Sequence, residues 1–218
     1  MTDYTAARVN MVESQVRPNR VTDPRILTAM LELPRERFVA EPMRGIAYVD
    51  EDVPLGGGRY LAEPMVLARL AQAAQIESGD LVLEIGAVTG YGAALLSRLA
   101  RQVIALESDP ALARRAETTL RELGIGNVSV VTGPLGVGEP RHAPYDAIVI
   151  SGAVQHVPQA LLEQLGEEGR LVAVVTAPGE PGRATVFTRI AGAYSRRVAF
   201  DAGSRPLPGF AVEPGFAF

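Results

Sequence analysis

The chain has no cysteine and no lysine, and it carries only two histidines. Without a thiol there is no cysteine nucleophile, no disulfide framework and no thiolate metal site. All 21 basic residues are arginine, which excludes Schiff-base chemistry and a phosphate-gripping Walker lysine. His142 and His156 read as solvent-facing residues on different loops, so no metal site is expected. Long apolar runs are missing too: none approaches the roughly 20 residues of a membrane span. Met1-Thr2-Asp3-Tyr4-Thr5 lacks the basic and apolar regions of a secretory signal. These absences lead to the expectation of a cytoplasmic protein with no membrane partner. A net charge of -4 with a pI near 5.3 gives no general attraction to phosphate backbones, so no nucleic-acid partner is expected either.

What is present is ordinary globular composition, 47% hydrophobic and 21% charged, in 218 residues: enough for one well-buried α/β domain and a smaller appended piece. The most informative stretch is Leu81 to Gly92. Its apolar run reads as a buried parallel strand that ends in Glu84 and breaks into Gly86, Gly90 and Gly92 before a helical pattern from Ala93 to Leu99. In open α/β sheets ligands bind at such a strand end. A second apolar run ends in Glu107, about 20 residues on, where an acid stands to hold ribose hydroxyls. The glycine spacing does not match the G-x-G-x-x-G of dinucleotide loops. It is similar to the E-x-G-x-G-x-G loop of S-adenosylmethionine (SAM) methyltransferases, with Val88 in place of the middle glycine. An ordinary strand-turn-helix remains the alternative for this loop taken alone.

Strands and helices then alternate. Asp109-Pro110 starts a helix that Gly124 closes; Val128 to Val131, Asp146 to Ser151 and Arg170 to Thr176 read as strands, with a helix from Pro158 to Leu165. This is the pattern of a doubly wound sheet. Thr185 to Ile190 and Tyr194 to Phe200 read as an antiparallel pair at its edge. Residues 1–75 have a helical texture, interrupted by the polar Asp50-Glu51-Asp52 and by Gly56-Gly57-Gly58, which reads as a mobile loop. Residues 204–218 read as an irregular covering segment.

Val12-Glu13-Ser14-Gln15, Pro34-Arg35-Glu36-Arg37-Phe38-Val39, Ala47-Tyr48, the triple glycine before Glu63-Pro64, Leu83-Glu84-Ile85-Gly86, Gly90-Tyr91 and Tyr145-Asp146-Ala147-Ile148 resemble, in that order, the protein-L-isoaspartate O-methyltransferase family. The likeness covers about residues 9 to 177. It implies a Rossmann-like SAM methyltransferase fold, a doubly wound, mostly parallel sheet with an N-terminal helical subdomain. The implied division is 1–75 for that subdomain and substrate loop, 76–203 for the SAM-binding domain and 204–218 for the C-terminal segment. The implied activity is esterification of the α-carboxyl of an L-isoaspartyl residue, which closes to succinimide and can reopen as aspartate. The cofactor would be SAM and the partners damaged proteins or peptides carrying isoaspartyl residues.

Carried over by position, Glu84, Gly86, Ala87 and Gly90 would form the SAM loop. Glu107 and Ser108 would meet the ribose, and Gly133, Pro134 and Leu135 the adenine. Arg59, Tyr60, Leu61, Ala62 and Glu63 would line the substrate. Three positions depart from the family pattern. Ala62 stands where the family has a serine that helps to position the reacting carboxyl, so no catalytic residue is named there. Pro134 replaces an acid and brings neither a side-chain acceptor nor a backbone donor. Val88 cannot offer the easy positive φ of glycine. A non-catalytic binding module and a small-molecule methyltransferase therefore stay open as alternatives. Glu63 would repel an anionic substrate or simply sit at a helix N-terminus. Glu107, at a strand's carboxyl end, is expected to contribute little to packing.

Overall fold

In the computed structural model, which describes residues 3–177 and 179–211, the first third of the chain is held by local caps. Asp3 accepts the amides of Thr5 and Ala6 at the start of α1 (Tyr4–Met11), which a π turn, Val12–Val16, continues. Asp23 caps α2 (Pro24–Glu32); Pro24 sits in its first turn, and Leu33 ahead of Pro34 leaves helical geometry. The triple glycine expected as a mobile loop is a turn. Gly56, Gly57 and Gly58 carry φ of +93°, +58° and +72° and fold β1 (Val53–Gly56) onto β2 (Arg59–Leu61) as an antiparallel hairpin. Next comes α3 (Pro64–Ala73), whose Gln72 side chain accepts the amides of Thr22 and Asp23 at 2.7 and 3.1 Å and so pins the loop that enters α2.

The sheet begins with β3 (Leu81–Ile85) and its helix α4 (Tyr91–Ser97), then β4 (Gln102–Glu107), α5 (Pro110–Glu122) and β5 (Val128–Thr132). As the sequence indicates, Asp109 caps α5 through Ala111 and Leu112, and Gly124 at φ +68° ends it. The chain then returns across the sheet to β6 (Tyr145–Val154), α6 (Gln159–Leu162), β7 (Leu165–Val175), β8 (Arg183–Ile190) and β9 (Ala193–Asp201). The expected helix up to Leu165 is shorter: Tyr145 donates to the carbonyl of Gln164 at 2.9 Å, which draws Leu165 into the sheet as the start of β7.

The sheet order is β5-β4-β3-β6-β7-β8-β9, parallel from β5 to β7, with β8 and β9 antiparallel as the edge pair. This is the doubly wound, Rossmann-like arrangement. Its order reverses between β3 and β6, which opens a crevice at their carboxyl ends. Alternate residues of each strand feed two cores. Val82, Val103, Ala147 and Val172 share one with Met11, Val16, Ile26, Met30 and Phe38 of the amino-terminal elements. Leu83, Ile85, Ile104, Ile148 and Ile150 share the other with Leu161, Leu207 and Phe210.

The last described residues cover the crevice. Ala153 donates to Arg205 at 2.9 Å and Leu207 donates back to Ala153 at 2.8 Å, so Pro206 bridges β6 as a parallel neighbour. The rest of the expected covering segment, 212–218, lies outside the described residues. Among those described, no helix is long and apolar enough to cross a membrane, and no cluster of three metal-ligating side chains occurs.

Candidate active site

The loop after β3 is built from left-handed backbone: Gly86, Val88 and Gly90 have φ of +82°, +44° and +93°. Gly90 also permits close packing, since a Cβ there would stand 3.1 Å from Cβ of Ala116 on α5. Val88 is the exception in kind. A β-branched residue in this region is strained by roughly 1 to 3 kcal/mol, and Val88 is nevertheless held there, buried, with its amide donating to Oε2 of Glu107 at 2.8 Å.

Glu84 is buried at the foot of the loop. Ser151 of β6 donates to its Oε1 at 2.6 Å, and burial pushes the Glu84 carboxyl up to about 7, the Ser151 hydrogen bond offsetting part of that rise. The same oxygen lies 1.9 Å from where a Cβ of residue 92 would stand, so Gly92 is the residue that makes room for Glu84 at the entry of α4. Glycine was legible there but its purpose was not, because only the folded loop brings positions 84 and 92 together.

Glu107 ends β4 at the crevice, as the strand pattern requires, but it is not free. Its carboxylate faces Arg59 of β2 in a two-pronged ion pair, Nη1 to Oε1 at 2.5 Å and Nη2 to Oε2 at 2.7 Å. The amides of Asp109 and Val88 take the remaining directions at 2.9 and 2.8 Å. Glu107 is 0% exposed and Arg59 5%. The expectation that Glu107 contributes little to packing is therefore overturned: it is the partner of a buried cation. No spacing links positions 59 and 107, so sequence reasoning missed the pair, although it singled out both residues. Ser108 joins it, 3.2 Å from Arg59 Nη1.

The remaining positions fall around the same crevice. Leu61 and Ala62 are buried, and Ala62 is held by its backbone: Arg35, fully buried, donates to the carbonyls of Ala47 and Ala62 at 2.6 and 2.8 Å and lies 4.8 Å from the centre of the Tyr91 ring. Tyr60 stacks under the guanidinium of Arg205, which also stands 3.9 Å from Asp52. Glu63 precedes α3 with its amide donating to Asp52 at 2.8 Å. Burial, reinforced by Asp50, Asp52 and Glu51, pushes the Glu63 carboxyl up to about 7. Ala87 is buried in the loop; Pro134 leads from Gly133 into a short 3-10 turn, Leu135–Val137, with Leu135 buried. His142 and His156 lie on the surface.

Sequence reasoning did not foresee Leu207. Its Cδ atoms lie 3.0 Å from where a Cβ of Gly86 would stand, and its Cγ 2.6 Å from the equivalent point on Gly152. The space left between β2, the end of β6 and residues 204–207 is about 10 Å³, room for one water. The donor set on the crevice floor, a glycine turn beside a carboxylate at the neighbouring strand end, fits a cofactor carrying a ribose diol. Arg59 and Leu207 are the side chains that lie over that set.

Comparison with known proteins bears on this arrangement. A family model described as protein-L-isoaspartate(D-aspartate) O-methyltransferase matches residues 7–199. A protein-L-isoaspartate O-methyltransferase of Gloeobacter violaceus is 41% identical over 197 residues, 90% of this chain and 96% of its own. One from Rhodopseudomonas palustris is 43% identical over 188 residues, 86% of this chain and 77% of its own. Among solved structures, a protein-L-isoaspartate O-methyltransferase superposes with a TM-score of 0.81 at 27% identity, covering 93% of this chain and 66% of that one. A Plasmodium falciparum structure in complex with S-adenosyl-L-homocysteine, at 19% identity, shares the fold with a TM-score of 0.77 over 95% of this chain and 99% of its own.

Proposed function

Since this chain belongs to the protein-L-isoaspartate O-methyltransferase family, we infer that it is a SAM-dependent carboxyl methyltransferase of the isoaspartyl-repair type, acting on proteins or peptides that carry isoaspartyl residues. The observation that supports this reading best is the combination of the family match over residues 7–199 with a left-handed loop and the Glu107 carboxylate meeting at the switch point of the sheet. When bound, SAM supplies a methyl group on a positively charged sulfur. A carboxylate is already the nucleophile near pH 7, so the protein's contribution is alignment and exclusion of water, with little acid or base chemistry.

Each part of the crevice has a place in that task. The loop at Gly86 to Gly90 and Glu107 would hold the cofactor, with Gly133 to Leu135 at its adenine end. The hairpin that carries Arg59 to Ala62 would border the acceptor. Ala62 offers no hydroxyl; its position is set by Arg35 through the backbone carbonyl, so residue 62 shapes the pocket with main chain.

The test is transfer of labelled methyl from SAM to a peptide carrying isoaspartate, beside its aspartate twin. Transfer to the isoaspartyl peptide with little to the twin is expected. Measurable SAM binding with no transfer to either peptide would refute the substrate assignment.

A further inference from the structure

The Arg59–Glu107 pair saturates the acid assigned to the ribose. A carboxylate has about four acceptor directions, and on Glu107 they are taken by two guanidinium N–H groups and by the amides of Val88 and Asp109, with the Ser108 hydroxyl a longer fifth donor at 3.3 Å. The two amides are fixed by the loop and by the start of α5, so a ribose diol can reach the acid only where the guanidinium now stands. Leu207 enforces the same closure from the other end of the chain. Its side chain covers Gly86 and Gly152, the two glycines that leave the crevice floor bare. Resting on the cofactor reading given above, we propose that Arg59 and Leu207 are a latch: the crevice closes on the protein's own side chains, and SAM enters by competing with Arg59 for Glu107 and displacing residues 204–207.

The surroundings show how the latch can open. Leu207 also lines a neighbouring cavity of about 240 Å³ bordered by Ala153, Val154, Thr176 and Phe210, so its side chain can leave the glycines without unpacking the sheet. Apart from the packing of Leu207 and Phe210 in the core, the segment is joined to the crevice by few polar contacts: the two backbone hydrogen bonds with Ala153, the stacking of Arg205 on Tyr60, and the 3.9 Å approach of Arg205 to Asp52. Arg59 sits on a hairpin whose turn is three consecutive left-handed glycines, a backbone that carries no side-chain penalty as it shifts. Arg205 ties the two halves together, because it belongs to the segment and stacks on the residue next to Arg59. Opening of one half therefore loosens the other. The apparent affinity for SAM is then the intrinsic affinity multiplied by the fraction of open molecules.

The experiment uses the full chain and S-adenosylhomocysteine, the unreactive product, as probe. Calorimetric affinity is measured for the wild type, for Leu207→Ala and for Arg59→Ala, with thermal unfolding of each to confirm folding. Hydrogen exchange at the Ala153 and Leu207 amides is followed in the wild type with and without probe. The latch requires roughly ten-fold or greater tightening in Leu207→Ala, the same direction in Arg59→Ala if it folds, and faster exchange at both amides when the probe binds. Equal affinities together with slower exchange at those amides would overturn the latch while leaving the cofactor reading intact. No binding heat in the wild type or in either variant at millimolar probe would overturn both.

Discussion

Replacing Glu107 by alanine removes the acceptor of five hydrogen bonds at once, two from the Arg59 guanidinium, two from the amides of Val88 and Asp109 and one from the Ser108 hydroxyl. The guanidinium of Arg59, 5% exposed, loses both prongs of its ion pair and keeps only the Ser108 hydroxyl at 3.2 Å. Breaking a buried pair by deleting one partner costs about 3 to 5 kcal/mol, chiefly because the other charge stays buried. The amides of Val88 and Asp109 are orphaned as well, and Val88 loses the hydrogen bond that helps hold it at φ +44°. Water entering the space left by the carboxylate offsets part of that loss, so the whole is taken as about 4 kcal/mol. In a domain of this size each kcal/mol moves the melting temperature by about 2 to 4 °C, so Glu107→Ala should melt about 8 to 16 °C lower. The assay is thermal unfolding at pH 7 followed by circular dichroism, run as a cycle with Arg59→Ala and the double variant. Because the double variant removes the stranded cation too, it should be more stable than Glu107→Ala alone, with a coupling of about 2 kcal/mol or more. A melting temperature within about 3 °C of wild type, or additive single losses, would refute the claim that these two residues form a buried structural pair.

Three further outcomes follow from the same site. The Glu84 carboxyl titrates near 7 in the folded protein against about 4.5 unfolded, so its stabilising share is complete below pH 4.5 and lost as pH rises through 7. Glu84→Gln should therefore match the wild type near pH 5 and exceed it by about 2 to 3 kcal/mol at pH 8 in urea unfolding; parallel pH profiles would refute this. Gly92→Ala places a methyl 1.9 Å from Glu84 Oε1 and should cost about 3 kcal/mol, most of it recovered in the Glu84→Ala background, whereas an equal cost in both backgrounds would show that the contact is not the cause. Glu63, raised to about 7, becomes charged as pH climbs through neutrality, so KM for an isoaspartyl peptide should rise between pH 6 and 8 in the wild type and stay level in Glu63→Gln. An unchanged profile in that variant would remove Glu63 from the acceptor's surroundings.

The elements were legible where the chain punctuates itself. Asp109-Pro110 and Gly124 bound α5 as read, and the apolar runs from Leu81, up to Glu107 and from Asp146 to Ser151 all fall within buried parallel strands. The two antiparallel edge strands also lie as expected. What escaped was set by contacts between distant positions. The triple glycine carries a glycine signal whether it ends in a free loop or a hairpin; pairing of Val53 with Leu61 decides between them. Arg59 reads in the sequence as one of the residues lining the substrate, and the structure gives it a carboxylate of its own chain. Leu207, in a Pro- and Gly-rich stretch with no periodicity, had no signal that could have placed it over Gly86.

The two side chains that roof the crevice reach it from opposite ends of the polypeptide, and this bears on how the molecule is made. Strands β3 to β6 can pair as soon as they are synthesised, with Arg59 already available, but the contacts of residues 205–207 with Ala153 form only when the carboxyl-terminal residues emerge. Such late, long-range closure is slow to nucleate and is reached after the sheet has set. During synthesis there is thus an interval in which the sheet exists, Glu107 is paired, and the glycine turn at Gly86 still faces water. A chain caught in that interval would already hold Glu107 on Arg59, so of the two halves of the closure only the one made by Leu207 would be missing from it.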